Sequence, residues 1–310
     1  MRIPDFPELR PLSPDDHPML VERLGPLRPA ICDLSPANLF IWRDCEIPSI
    51  TQVGESLCIL VESHSEPPYF LEPVGGDRRA DVVRACLTRH NRLSRCGRTL
   101  AEALSPQEFD VRPLRDHFDY VYRTVSLAEL KGKRFDGKRN QIRRFIGSFP
   151  DHDFRPLDQS RLAEAMALFE RWTERRAGMT LSAGLPPQLA LDCQRRALER
   201  ALEGFERLGL VGGAMIVRGE LQAFIIASTD QAETAVVHFQ YANAEIPGIY
   251  QALLREACRR LFDGCAYVNL EEDLGVPGLR KTKLSYGPLR IEEKYEIRIR
   301  AAASPGESDA

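Results

Sequence analysis

The sequence contains no apolar run approaching the roughly 18 residues that a membrane-spanning helix requires. Its opening, Met1-Arg2-Ile3-Pro4-Asp5-Phe6-Pro7, holds no apolar stretch of the kind a secretion signal uses. The eight cysteines (Cys32, Cys45, Cys58, Cys86, Cys96, Cys193, Cys258 and Cys265) form no C-x-x-C pair, which removes the usual support for structural zinc. Together these absences predict a cytoplasmic protein with reduced, mostly buried thiols. None of the six histidines is paired at metal-ligand spacing, so no metal is expected. Gly-x-Ser-x-Gly, Walker and dinucleotide-binding glycine motifs are also missing.

What is present is an ordinary globular composition, 43% hydrophobic and 28% charged, with a net charge of −3. That charge argues against a surface coated everywhere for nucleic acid or membrane, but leaves room for a local basic patch. A length of 310 residues suits two domains, since domains typically run about 100–150 residues. The first 36 residues are proline-rich and weakly patterned, and are expected to wrap a surface. Ile47–Val53, Ser56–Glu62 and Tyr69–Glu72 read as strands, Arg79–Arg95 as a helix and Phe118–Tyr122 as another strand. Asp136 is placed to cap a helix over Lys138–Phe149, and Pro150 marks the expected domain boundary.

The second half is more regular. Helices over Arg161–Glu174 and Leu189–Leu208 precede strands at Leu210–Val217, Leu221–Ser228 and Thr234–Tyr241, with a hairpin turn at Arg218-Gly219-Glu220. A helix over Ile249–Phe262, a strand at Ala266–Leu270, a short helix at Gly278–Leu284 and a closing strand at Leu289–Arg298 follow. In that closing strand Leu289, Ile291, Tyr295 and Ile297 fall on one side and charges on the other. The intervening helix predicts that Thr234–Tyr241 and Ala266–Leu270 run parallel. Residues 301–310 read as a disordered tail.

Two stretches are specific enough to place the chain. One is Phe118-Asp119-Tyr120-Val121-Tyr122, with Leu127 to Phe135 and Lys138-Arg139-Asn140 behind it. The other runs Asn269-Leu270-Glu271-Glu272-Asp273-Leu274-Gly275, through Pro277 to Lys281, to Lys283-Leu284-Ser285-Tyr286. From about Leu39 to Tyr295 the sequence resembles a bacterial family grouped with the C-terminal domain of phosphatidylglycerol lysyltransferase. The resemblance implies an α+β chain of two tandem GNAT-like domains, each a mixed sheet flanked by helices, as in the Fem peptidoglycan aminoacyltransferases. The domains would span 1–150 and 151–300, the second carrying the site. Such relatives move an aminoacyl group from a charged transfer RNA to an amine or hydroxyl. The chain lacks the long membrane-embedded part of the lysyltransferase, which opens a soluble amine, as well as a lipid headgroup, as acceptor.

Candidate residues follow from this frame. In acyl-CoA-using GNAT enzymes a strand-to-helix loop holds the pyrophosphate. Here that loop, Ala242 to Gln251, offers Asn243, Gly248 and Tyr250 but no Lys or Arg, and Glu245 would repel phosphate. An aminoacyl-tRNA donor is therefore preferred to acyl-CoA; the plain alternative is an ordinary helix start. The run Lys131, Lys133, Arg134, Lys138, Arg139, Arg143 and Arg144 suits phosphates of transfer RNA or an anionic membrane at the inner face, the alternative being a solvated helix. Glu271 and Asp273 are candidates to bind a donor's α-amino group or orient the attacking amine, Lys281 to stabilise an oxyanion and Tyr286 to donate a proton; Arg280 and Lys283 would hold substrate. Tyr241 joins the substrate-binding set, while His238, a lone strand histidine, reads as structural. The alternative for Asp273 is a helix cap. A rival for the whole chain is a module that kept the fold, lost the chemistry and binds RNA or an anionic surface.

Overall fold

The computed structural model describes residues 2–27, 31–176, 186–231 and 233–300. The predicted tail at 301–310 lies outside them. Two seven-stranded mixed sheets organise the chain. In the first, neighbouring strands are Arg10–Pro11, Pro48–Val53, Ser56–Val61, Tyr69–Phe70, Leu93–Gly97, Lys294–Ile299 and Phe109–Pro113. In the second they are Arg290–Glu292, Asp119–Arg123, Tyr267–Asn269, Thr234–Ala242, Glu220–Gln231, Leu210–Val217 and Asp153–Pro156. Thr234–Ala242 pairs parallel with Tyr267–Asn269, the helix Ile249–Arg260 making the crossover.

The apolar run in Glu220–Gln231 explains the layering. Phe224 and Ile226 point toward one core and Ala223, Ile225 and Ala227 toward another, as a strand buried on both faces requires. The first of these cores also contains Ile50, Ile59, Tyr69 and Leu71 from the first sheet, so the two halves share one continuous apolar interior. The helices Leu162–Glu174 and Pro187–Glu203 contribute Phe169 and Leu198 to it. On the other side of the second sheet, Ile142 and Phe145 of the helix Asp136–Ser148 pack with Leu253 of Ile249–Arg260.

Several expectations change. The boundary at Pro150 does not divide the sheets: Asp119–Arg123 sits inside the second and Lys294–Ile299 inside the first, so each half lends a strand to the other. The single closing strand is broken at Glu293, which lets Arg290–Glu292 and Lys294–Ile299 enter different sheets. Leu289 is exposed and Lys294 fully buried against that expectation, while Ile297 is buried and Arg298 exposed in keeping with it. The helix expected to reach Arg95 stops at Arg89, because Leu93–Gly97 is needed as the strand beside Lys294–Ile299. Asp136 lies inside the first turn of its helix and pairs with Arg139 instead of capping. The proline-rich start contributes Ile3, Leu12, Leu20 and Leu24 to the core rather than only wrapping it.

The cysteines also depart from expectation. Cys45 and Cys193, 148 positions apart, form a disulfide with Cα atoms 5.9 Å apart, joining Arg43–Glu46 to Pro187–Glu203. Closing so long a loop restricts the unfolded chain, so Cys45→Ser is expected to lower stability by about 2–4 kcal/mol. Denaturant melts with and without reductant check this: reductant should weaken the parent chain and leave the variant unchanged.

Candidate active site

A cavity of about 1050 Å³ lies between the halves, lined by Asp33, Glu46, Glu66, Tyr69, Arg95 and His117 from one and by Trp172, His238, Phe239, Tyr241, Tyr250, Glu271, Glu272, Lys283 and Tyr286 from the other. Its floor is the loop that leaves the strand Tyr267–Asn269. Buried Asn269 holds that loop from below: its amide oxygen accepts from Glu271 N at 2.7 Å, and its amide nitrogen donates to Asp119 at 3.0 Å. Glu271 takes a left-handed backbone (φ 55°), an uncommon state for a residue with a side chain. Its carboxylate Oε1 lies 2.9 Å from His238 Nδ1, and His238 Nε2 lies 3.0 Å from Ser228 Oγ. With His238 and Ser228 shut away from solvent, Glu271 is fixed from behind and faces the cavity.

Lys283, in the last turn of the helix Pro277–Ser285, clamps the same loop from the other side. Its ammonium donates to Leu270 O at 2.5 Å and to Glu272 O. A lysine has three donors, so one N–H remains for the cavity. Burial lowers the pKa of Lys283. Behind the wall, fully buried Lys294 bonds Asp33 at 2.5 Å and Asp119 at 2.8 Å, with Glu272 at 3.9 Å. Burial pulls the Lys294 ammonium down, but Asp119 and Asp33 outweigh it and raise the pKa. Burial likewise favours neutral Glu272, yet Lys294 and His117 (2.6 Å away) hold its carboxyl down to about 2. Glu46 makes no ion pair among the described residues and accepts from Tyr69 at 3.1 Å; burial raises its pKa. The cavity wall thus carries the carboxylates of Asp33, Glu46, Glu66, Glu271 and Glu272 against the fixed cations Arg95, Arg176 and Lys283.

Of the residues chosen from the sequence, Glu271, Lys283, Tyr286, Tyr241 and Tyr250 meet in this cavity. Lys138 lies outside the lining, with Nζ 4.1 Å from the Tyr286 ring centre, and burial lowers its pKa. Others lie elsewhere. Asp273 is fully buried outside the cavity wall, bonded to Arg280 (2.9 and 2.8 Å), Arg115 (3.2 Å) and Tyr120 (2.5 Å); burial opposes its charge, but Arg280 and Tyr120 lower its pKa. Lys281 is exposed and outside the lining. Arg139 is bound to the carbonyls of Leu130 and Gly132 and to Asp136. Asn243 bonds Gln222 and the backbone of Glu245. Asp33, Glu46, Glu66, Arg95 and His117 were missed, and His238, read as structural, both supports Glu271 and lines the cavity. Among the described residues no group of three His, Cys, Asp or Glu is placed to hold a metal.

The loop from Ala242 to Tyr250 is also committed. Glu245 pairs with Arg175 at 3.0 Å, and Gly248 (φ 86°) caps Ile249–Arg260 against the Asp136–Ser148 helix. A Cβ at Gly248 would collide with the carbonyl oxygen of Gln141. Gly248→Ala is therefore expected to cost about 1–3 kcal/mol, from backbone strain and the clash. A melt of the variant checks this, and an unchanged stability would contradict the packing.

Residues 25–298 match the family model for the phosphatidylglycerol lysyltransferase C-terminal domain. The chain belongs to this family. Within and around the family, a conserved protein of unknown function from Bacteroides thetaiotaomicron is 31% identical over 94% of this chain and 99% of its own, with a TM-score of 0.86. L-PGS from Bacillus licheniformis superposes with a TM-score of 0.64 at 15% identity, covering 98% of this chain and 96% of its own. The C-terminal domain of a candidate lysylphosphatidylglycerol synthetase from Agrobacterium fabrum gives 0.61 at 14% identity, covering 92% and 93%. No curated protein matches the chain. The two mixed sheets with flanking helices are the fold shared with these structures. No helix among the described residues is long and apolar enough to cross a membrane.

Proposed function

We propose that the chain is an aminoacyltransferase that carries an aminoacyl group from transfer RNA to an amine or hydroxyl acceptor inside the cavity between the sheets. The observation that carries this reading is the acid-rich wall around Glu271, which suits the ammonium groups of an aminoacyl donor or an amine acceptor. Acyl-CoA is the less favoured donor. The helix start that would seat its pyrophosphate is packed against Gln141. Trp42, Trp172, Phe239 and Tyr241 give another wall a set of aromatic faces on which a terminal base can stack.

The chemistry follows from the positions. The acceptor nitrogen or oxygen attacks the ester carbonyl while Glu271 takes its proton. The free N–H of Lys283 stabilises the resulting oxyanion. Tyr286, whose pKa burial raises, stays protonated and lines the same space. As the ester C–O bond breaks, the ribose oxygen leaves with the proton that Glu271 received. Positioning and electrostatics supply most of the acceleration.

The test is to incubate the protein with transfer RNA charged with radiolabelled amino acids, then with a panel of amines and polyols. Label should move from RNA to an acceptor only with the protein present. Transfer from an acyl-CoA but never from charged RNA would sink the reading, and binding of RNA with no transfer would favour the module without chemistry.

A further inference from the structure

The acids on the cavity wall are not equally provided for. Asp33 has Lys294 at 2.5 Å, Glu66 has Arg95 at 2.6 Å, Glu272 has His117 at 2.6 Å and Glu271 has His238 at 2.9 Å. Glu46 is the exception among the described residues. Its carboxylate accepts from the hydroxyls of Tyr69 at 3.1 Å and Ser63 at 3.4 Å and pairs with no cation. Arg95 is close, but its guanidinium is taken by Glu66 and, at 3.6 Å, by Asp33; burial wins and raises the Glu46 pKa. A buried carboxylate with neutral donors alone favours a ligand that brings its own cation. The approach is open, since His64 and Ser65 line the cavity and are exposed at the surface.

We propose that Glu46 anchors the far ammonium of an aliphatic diamine acceptor, whose near amine reacts beside Glu271. The side of the cavity argues for the acceptor. Trp172, Phe239 and Tyr241, the aromatic faces offered to the terminal base of the donor, come from the half that carries Glu271, whereas Glu46, Ser63 and Tyr69 come from the other. The donor therefore lies along one half and leaves the other to the acceptor. The near amine arrives neutral, its nitrogen bonds the acyl carbon as the ester C–O bond breaks, and its proton passes by way of Glu271 to the ribose oxygen. A monoamine would leave the Glu46 carboxylate without a counter-ion. This subsite deepens the transfer reading above and rests on it for the reaction, though not for the binding.

Calorimetric titration of the full chain tests it, with diamines from 1,3-diaminopropane to 1,8-diaminooctane and the monoamine of each chain length. The best diamine should bind at least about tenfold more tightly than its monoamine. Glu46→Gln should bring the two within a few-fold of each other. Glu46→Asp, which draws the carboxylate back by one methylene, should keep the preference and move its optimum to a longer diamine. That shift is one a merely structural role would not produce, and it decides the matter if the glutamine variant fails to fold. Equal binding of diamine and monoamine throughout the series, or a preference that survives in Glu46→Gln, would overturn the proposal. So would loss in that variant of selectivity among charged transfer RNAs without any diamine preference, which would assign the carboxylate to the donor. Diamine preference with no transfer from charged RNA would uphold the subsite and sink the reaction. Transfer to monoamines as fast as to diamines would uphold the reaction and sink the subsite.

Discussion

Lys294→Met is expected to destabilise the protein by about 3–5 kcal/mol, the cost of leaving buried charge without its partner. Lys294 has no exposed side-chain surface and is shared by Asp33 from the chain's start, Asp119 from a strand of the second sheet and Glu272 from the cavity floor. It is itself on a strand of the first sheet, so a single ammonium ties the two sheets together. The pH dependence has a definite sign. The Glu272 pKa is depressed to about 2, so its contribution is present above the ordinary carboxylate value and lost as pH falls through that range toward about 2. The Lys294 pKa is raised, so its contribution is present below the ordinary lysine value and fades only in stronger alkali. Urea melts at stepped pH should show an acid limb between roughly pH 4.5 and pH 2, which moves to higher pH in Lys294→Met. A loss under about 1 kcal/mol at neutral pH would mean that water replaces the ammonium freely.

Glu271→Gln should cut transfer by about 10²- to 10⁴-fold, the range expected for loss of a positioned proton acceptor. The amide keeps the shape and an oxygen for His238, so affinity for charged transfer RNA should stay within a few-fold. Single-turnover transfer beside a binding titration separates the two. Equal loss of binding and turnover would make Glu271 a substrate anchor, and unchanged turnover would remove it from the chemistry.

Much of the second half was legible because its strands and helices carry strong periodic patterns. Leu210–Val217 is where its apolar run places it, and the crossover helix fixes the parallel pair. The exchanged strands were not legible: Asp119–Arg123 and Lys294–Ile299 read locally as strands, but nothing local says which sheet receives them. The cavity lining was legible where it is contiguous, as in Glu271, Lys283 and Tyr286. Asp33, Glu46, Glu66 and Arg95 are far away in sequence and meet the loop only because the two sheets share a core. Asp273 misled for a chemical reason. A carboxylate in an active-site-like loop reads as functional, whereas Arg115, Tyr120 and Arg280 already use it. The Cys45–Cys193 link was hidden by the absence of any spacing rule for cysteines 148 positions apart.

The most direct test of the central claim is the melting temperature of the full chain with charged transfer RNA, uncharged transfer RNA and acyl-CoA, each in excess. A ligand at about 100 times its dissociation constant adds roughly 2.7 kcal/mol, a readily measured rise. The acid-walled cavity predicts a larger rise with charged than with uncharged RNA, and a similar rise in Glu271→Gln. A rise with acyl-CoA alone would contradict it and reassign the cavity to a conventional acyl donor.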